Sequence, residues 1–379
     1  MVFNKSCLVA AIVGVCLSGT VSVYGVLNST GIEAVRSRTD VSKMSLSSAD
    51  EAVVDAFIRD GLTQLFMEED PWRAVDLREA VLAQKGSSAP SPYSTFFADT
   101  LAKHLRLAFE DASRLQDVGH RRRFRLHLIV LAGMLQRTEM VPLGLERVGD
   151  SDPTVQYWAV KSVTNPVVAA QLTSQAVGDA DLLRSVVASL KEVVNESVLP
   201  ETLRMMVEFA NGIATPEARD LVSNIAELRI SQYANWTVRY ELMDAMVLTG
   251  LGKQILAESD DARRAGLLRR FAQLYSYVIE RFALGQDFLS EVQKRQLVSV
   301  IAETENGAIT GMLNRPHDQI RKAVDSGKVS AIDAERQLLL GGPSQRGQLA
   351  AIRSYDYGKG PGGAAMTEPV RLKVPGAGR

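Results

Sequence analysis

Helical patterns of roughly 10 to 25 residues follow one another between residues 48 and 340, and this succession constrains the fold more than any other feature of the sequence. No stretch in this region alternates apolar and polar residues with a period of two over more than a few positions. The patterns are separated by short turn signals at Gly119, Pro142, Pro153, Asn165-Pro166, Pro200, Gly212, Pro216, Gly250, Gly252, Gly285, Pro316 and Gly327. The sequence therefore predicts an all-α protein.

The run SSADEAVVDAFIRDGLTQLF shows how one of these helices is encoded. Ser48 can cap its start, and Val54, Phe57 and Ile58 belong to an apolar stripe with helical spacing. Asp70-Pro71 ends this helix and opens the next, because proline is favoured in the first turn of a helix and disfavoured inside one. One face of each helix must then pack against its neighbours.

The first 25 residues, MVFNKSCLVAAIVGVCLSGTVSVYG, have the layout of a secretory signal peptide: a short charged start, an apolar run and a small-residue exit. If this segment is not cleaved, residues 6–27 could anchor the chain in a membrane; lipidation at Cys16 is a third option. Cys7 and Cys16 are the only cysteines, so the remaining chain has neither disulfides nor thiol chemistry. These features predict export to a bacterial periplasm or envelope, free or anchored to the inner membrane.

Two further segments frame the helical region, residues 48–340. Residues 26–47 are polar and aperiodic, which predicts a flexible tether. Residues 341–379 are rich in glycine and proline, mildly basic and without an apolar stripe, which predicts a disordered tail.

The stretch DSDPTVQYWAV contains a pattern that recurs: an apolar residue, a polar or basic one, and an apolar residue four positions after the first. Its five occurrences are Phe124-Arg125 with Leu128, Val155-Gln156 with Ala159, Leu203-Arg204 with Val207, Val238-Arg239 with Leu242, and Leu268-Arg269 with Ala272. This pattern resembles the second helix of a HEAT repeat over residues 119–285. The resemblance implies an irregular α-solenoid of stacked helical hairpins, with each Arg pairing with an Asp of a turn. The best turn departs from it, because Gln156 replaces Arg; an irregular helical bundle is the alternative fold.

The run GHRRRFRLHL places Arg121, Arg122 and Arg123 at the start of a predicted helix, where the helix dipole disfavours cations. This conflict suggests a site for an anion or an acidic partner segment, extended by Arg125. The alternative is that these arginines are solvated, or neutralised by Glu110 and Asp111.

Aromatic residues concentrate at two of the repeat turns. Tyr157 and Trp158 mark the first turn, and Tyr233 and Trp236 mark the second. Together with Arg204 and Arg239 of the repeated pattern, they are candidates for binding a partner protein, since Trp, Tyr and Arg supply most of the energy of protein interfaces. The alternative is that the aromatic rings fill gaps between stacked hairpins.

Overall charge and motif content bear on the function of the chain. Lys and Arg total 43 against 44 Asp and Glu, so no overall field attracts nucleic acid. No phosphate-binding loop, nucleophile elbow or metal-ligand motif is present, and neither a catalytic residue, a metal nor a cofactor is predicted. We therefore expect an exported helical-repeat scaffold that binds a protein partner in the cell envelope. The alternatives are a membrane-anchored assembly component and an all-α hydrolase with an unidentified carboxylate site.

Overall fold

The computed structural model describes residues 27–42, 44–87, 91–174, 178–213, 215–359 and 363–374. This part of the chain is mostly α-helical, which confirms the prediction of an all-α protein. The predicted signal peptide, residues 1–25, lies outside the described residues. None of the helices that the structure describes is both long and apolar enough to cross a membrane.

The first half of the chain forms helices α1 to α9. Their bounds are α1 Thr30–Ser42, α2 Ser48–Met67, α3 Pro71–Leu82, α4 Pro92–Arg114, α5 Val118–Leu135, α6 Val141–Leu145, α7 Pro153–Thr164, α8 Pro166–Thr173 and α9 Ala180–Glu192. A single 3₁₀ turn, Thr138–Met140, precedes α6.

The second half forms helices α10 to α18 and one short β-hairpin. The helices are α10 Pro200–Asn211, α11 Pro216–Ala234, α12 Met243–Ala257, α13 Asp261–Leu284, α14 Glu291–Thr304, α15 Thr310–Leu313, α16 Gln319–Asp325, α17 Val329–Leu340 and α18 Gln348–Arg353. A π-helical turn, Glu305–Ile309, joins α14 to α15. The hairpin pairs β1, Gly341–Gly342, with β2, Gln345–Arg346, in antiparallel register.

Side-chain caps and prolines set most of these helix starts. Ser47, one residue before the predicted cap, accepts a hydrogen bond from the amide of Asp50, and Asp50 bonds the amide of Ser47 in return. Asp70 and Asp152 cap α3 and α7, and each precedes a proline in the first turn. The turn signals at Asp70-Pro71 and Pro153 therefore mark helix starts as predicted, whereas those at Gly250 and Gly252 are wrong, because both glycines lie inside α12.

Most helices pack against near neighbours in the chain. One row consists of successive contacts α3–α5, α5–α7, α7–α10, α10–α12, α12–α14 and α14–α16. A second set of contacts runs from α2 to α4, then through the 3₁₀ turn, α6 and α8 to α9, and on to α11, α13 and α17. Buried apolar residues from both rows belong to one continuous core that extends from Leu27 to Leu372.

The N-terminal region differs from the predicted flexible tether, because residues 30–42 form helix α1, which packs on α2 and α4. Ile32 and Val35 are buried at helical spacing, and Thr39 continues their face. Arg38 forms an ion pair with Asp50 of α2. This buried face has too few apolar residues to form a recognisable stripe in a polar sequence, but in the folded protein it packs against α2 and α4.

The C-terminal region also differs from the prediction of a disordered tail. Residues 341–353 form the β-hairpin and α18, and Tyr355 is buried. In residues 363–374, which we call the strap, the amides of Val370 and Leu372 donate to side chains of α13. A stretch without an apolar stripe is ordered here because polar side chains about 90 positions earlier bond its backbone.

One of the five repeated patterns is not helical. Val238, Arg239 and Leu242 lie in the loop between α11 and α12, in which Trp236 and Tyr240 adopt left-handed backbone conformations with φ near +57° and +58°. Two such residues interrupt helical geometry, so the helix predicted here is wrong. The other four patterns lie in α5, α7, α10 and α13.

Candidate functional site

The strap is bound to α13 through its own backbone. Gln273 accepts a hydrogen bond from the amide of Val370 and donates one to the carbonyl oxygen of the same residue, each at 2.9 Å. This two-way bond is the pairing that a neighbouring β-strand would provide. A helix side chain therefore satisfies both backbone groups of one extended residue.

Two more side chains continue this arrangement along the strap. The amide of Leu372 donates to the Glu280 carboxylate at 2.6 Å, and the indole nitrogen of Trp236 donates to the carbonyl oxygen of Lys373 at 2.7 Å. Gln273 and Glu280 are seven positions apart on α13 and so lie on the same face of the helix. The face of α13, together with Trp236, thus bonds the backbone of Val370, Leu372 and Lys373.

Ion pairs add side-chain contacts to these backbone bonds. Glu368 of the strap pairs with Arg336 of α17 at 2.8 Å. Arg371 pairs with Glu280 at 2.9 Å and with Asp333 at 2.7 Å. An acidic position and a basic position three residues apart in the strap therefore meet opposite charges on the helices.

Glu280 and Arg336 are charged groups in the core of this site. Arg336 is fully buried, with its guanidinium near Glu280, Asp333 and Ser276 as well as Glu368. Burial raises the pKa of Glu280 to about 7, although the Leu372 amide and Arg371 act in the opposite direction. Both Glu280 oxygens accept hydrogen bonds from the strap, one from Arg371 and one from the amide of Leu372.

A cavity of about 450 Å³ adjoins the strap at Leu372 and Arg371. Its apolar wall comes from α13 and α17, and its polar wall comes from the ion-paired residues described above. The apolar lining residues are Ile279, Ala283, Leu284, Val329 and Ile332.

A second buried network supports the position of Trp236. Arg229 and Asp244 form a fully buried ion pair, with the Arg229 Nε atom 2.6 Å from Asp244, and the hydroxyl group of Tyr233 donates to the same carboxylate. Arg229 also donates to the carbonyl oxygen of Arg239, which fixes the loop after α11. Burial and the Asp244 charge raise the pKa of Tyr233 well above its usual value, so it stays protonated.

The guanidinium group of Arg281 lies between this network and the strap. It pairs with the buried carboxylate of Glu241 at 3.2 Å, and its central carbon is 5.2 Å from the centre of the Trp236 ring. Trp236 also packs against Phe288, with ring centres 5.0 Å apart. The indole is therefore held between a cation and an aromatic ring, with its N–H directed at the strap.

The four predicted residues of the basic helix start have neighbours within the protein. Arg122 forms an ion pair with Asp152, and Arg125 forms one with Asp150; both aspartates belong to the turn before α7. Arg121 donates to the carbonyl oxygen of Leu115 at 3.1 Å. Arg123 lies beside the acidic cap residue Asp117, whose pKa is lowered chiefly by its bond to the amide of His120.

The predicted aromatic and arginine candidates fall into different environments. Tyr157 and Trp158 are half-buried on α7, and Lys161 lies 4.1 Å from the centre of the Trp158 ring. Arg204 is exposed on α10, and its contact is with Glu208, one turn later. Arg239 is exposed, although its backbone belongs to the network around Arg229.

Tyr233 and Trp236 are the predicted residues that this site brings together, while Gln273, Glu280 and Arg336 were not foreseen. A signal for the last two exists in the sequence: Glu280 lies within the run LYSYVIERFAL, and Arg336 precedes the run QLLL. Charged residues at otherwise apolar helix positions are candidates for a buried polar site.

Among the described residues, no group of three or more His, Cys, Asp or Glu side chains has the arrangement of a metal site. The Nδ1 atom of His317 lies 2.8 Å from the buried carboxylate of Glu305 and donates to it. The same carboxylate accepts hydrogen bonds from the amides of Ile320 and Arg321 at the start of α16. Glu305 therefore caps the N-terminus of α16.

In comparisons with known proteins, the chain matches no protein-family model, no curated protein and no solved structure.

Proposed function

We propose that this protein is an exported helical-repeat scaffold that binds a protein partner in the cell envelope, with the partner docking as an extended segment on the face of α13. The observation that carries this proposal is the two-way hydrogen bond between Gln273 and the backbone of Val370. Bonds to the backbone suit the recognition of a polypeptide, because every partner chain offers the same groups.

The proposal includes an irregular α-solenoid of HEAT-like hairpins as the architecture. Its support is the succession of helix contacts in two rows and the pair between Arg125 and Asp150, which joins one repeated pattern to the turn of the next. A stacked array of this kind presents a long preformed surface, and such a surface loses little conformational entropy when a partner docks.

A site-specific photo-crosslinking experiment tests this function. A photoreactive amino acid replaces Phe288, which packs against Trp236 and is 52% exposed, and in a matched variant it replaces Trp72, which is 76% exposed on α3. After irradiation of intact cells, we expect a covalent adduct with a second polypeptide from position 288 and none from position 72. The adduct should fractionate with the cell envelope.

Three results would contradict the proposal. Position 288 could yield only adducts within the same chain, which would show that no partner binds at this face. Alternatively, both positions could yield the same set of adducts, which would show that exposure rather than recognition governs the capture. Recovery of the protein in the cytosolic fraction would contradict export.

A further inference from the structure

The strap contacts α13 in the manner of a bound ligand. Its backbone is satisfied by Gln273, Glu280 and Trp236, and its buried side chains are Pro369 and Leu372. We propose that the strap is a built-in occupant of a peptide groove, and that a partner segment of the same chemistry displaces it. This inference rests on the proposed function and adds the class of ligand and its regulation.

The groove defines the charge pattern of that ligand. Arg336 pairs with an acidic residue, and Glu280 and Asp333 pair with a basic residue three positions later, which the strap provides as Glu368 and Arg371. Val370 lies between these two positions, and Gln273 contacts only its backbone N–H and C=O groups, so this position of the ligand can carry any side chain. The ligand is therefore an extended segment with an acidic residue, a basic residue three positions on, and an apolar residue directly after it.

The strap does not fill the groove. The cavity of about 450 Å³ lies beside Leu372, and its wall includes Ile279, Val329 and Ile332. A side chain larger than leucine at this position would remove more apolar surface from water. A partner segment carrying Phe or Trp there should therefore bind more tightly than the strap sequence itself.

Covalent linkage of the strap to the rest of the chain explains how it can exclude free peptides from the groove even when its own contacts are weaker than theirs. The strap belongs to the same chain as α13, so its return to the groove is intramolecular. A covalently linked occupant can have an effective concentration in the millimolar range. A free peptide at micromolar concentration competes poorly against it, and only a segment with better contacts displaces it.

The test uses the full chain and two fluorescein-labelled peptides in anisotropy titrations. The first peptide copies residues 365–374, AMTEPVRLKV, and the second carries Phe in place of Leu372. A release variant of the protein combines Arg371→Ala with Leu372→Asp, which alters only the strap. We expect the release variant to bind the first peptide at least about tenfold more tightly than the wild-type chain does.

The Phe-containing peptide should bind the release variant at least about fivefold more tightly than the first peptide. Adding Gln273→Ala to the release variant should abolish binding of both, whereas adding Gln116→Ala, in an exposed loop, should leave it unchanged. A circular dichroism melt of each variant checks that the helices remain folded. Gln273→Ala in the otherwise wild-type chain weakens the attachment of the strap by a milder change. The fluorescence of Trp236 should then shift, because its hydrogen bond to the carbonyl oxygen of Lys373 is lost.

The outcomes separate the two claims. Equal affinity for the wild-type chain and the release variant overturns the built-in occupant and leaves the groove as a peptide site. Binding of a scrambled peptide with the same affinity overturns the proposed charge pattern. Absence of binding to a folded release variant overturns both the occupant and the proposed function at this face.

Discussion

Replacing Asp244 with alanine is expected to lower the free energy of unfolding by about 3–5 kcal/mol. The substitution leaves the Arg229 guanidinium buried without its counter-ion and removes the acceptor of the Tyr233 hydroxyl group. Charge burial of this kind is costly because water no longer solvates the cation. Urea unfolding followed by circular dichroism measures the change.

A matched control separates burial from charge. Asp181 also pairs with an arginine, Arg184, but its side chain is 86% exposed, so Asp181→Ala should change stability by less than about 1 kcal/mol. Exchanging both members of the buried pair, as Arg229→Met with Asp244→Leu, should recover part of the loss, because neither charge is then left unpaired. Equal effects of the two alanine substitutions would contradict this account of the pair.

Glu280→Gln is expected to flatten the dependence of stability on pH between about pH 5 and 8. The pKa of Glu280 is about 7 in the folded protein against an ordinary value of 4.5, so the folded state binds the proton more tightly than the unfolded state does. The free energy of unfolding should therefore fall as the pH rises through this window, by up to about 3 kcal/mol. Urea unfolding at pH 5 and pH 8 measures the difference.

The comparison between variant and wild type isolates this group from the other carboxyl groups. Glu303→Gln, at an exposed position of α14, should keep the wild-type dependence. If the Glu280 variant loses as much stability between pH 5 and pH 8 as the wild type, the proton is not held at Glu280.

Local signals in the sequence predicted several helix starts, because caps and prolines act within a few residues. The cap Ser47 lies next to the predicted Ser48, and α3 and α7 begin at the predicted Pro71 and Pro153, whereas the turns predicted at Gly250 and Gly252 lie inside α12. The loop around Arg239 escaped prediction because its apolar spacing fits a helix, whereas Trp236 and Tyr240 adopt left-handed backbone conformations and the carbonyl oxygen of Arg239 accepts a bond from the distant Arg229.

The candidate site shows the limits of the same reasoning. Trp236 is a candidate by residue type, yet the residue that accepts its hydrogen bond, Lys373, lies 137 positions later. The order of the strap depends on Gln273 and Glu280, and nothing within the strap itself indicates that these partners exist. Arg125 was likewise identified, and its partner Asp150 lay in the quoted turn, but a sequence does not show that neighbouring helices bring the two together.

The most direct test of the central claim, that the face of α13 holds an extended polypeptide by its backbone, is the amide hydrogen exchange of Val370 and Leu372. Both amides donate to side chains of α13. In the folded wild-type chain we predict exchange at least about tenfold slower than in an unstructured peptide of the same sequence, with the protection of Val370 lost in Gln273→Ala. Exchange of both amides at the unstructured rate in the wild-type protein would contradict the claim.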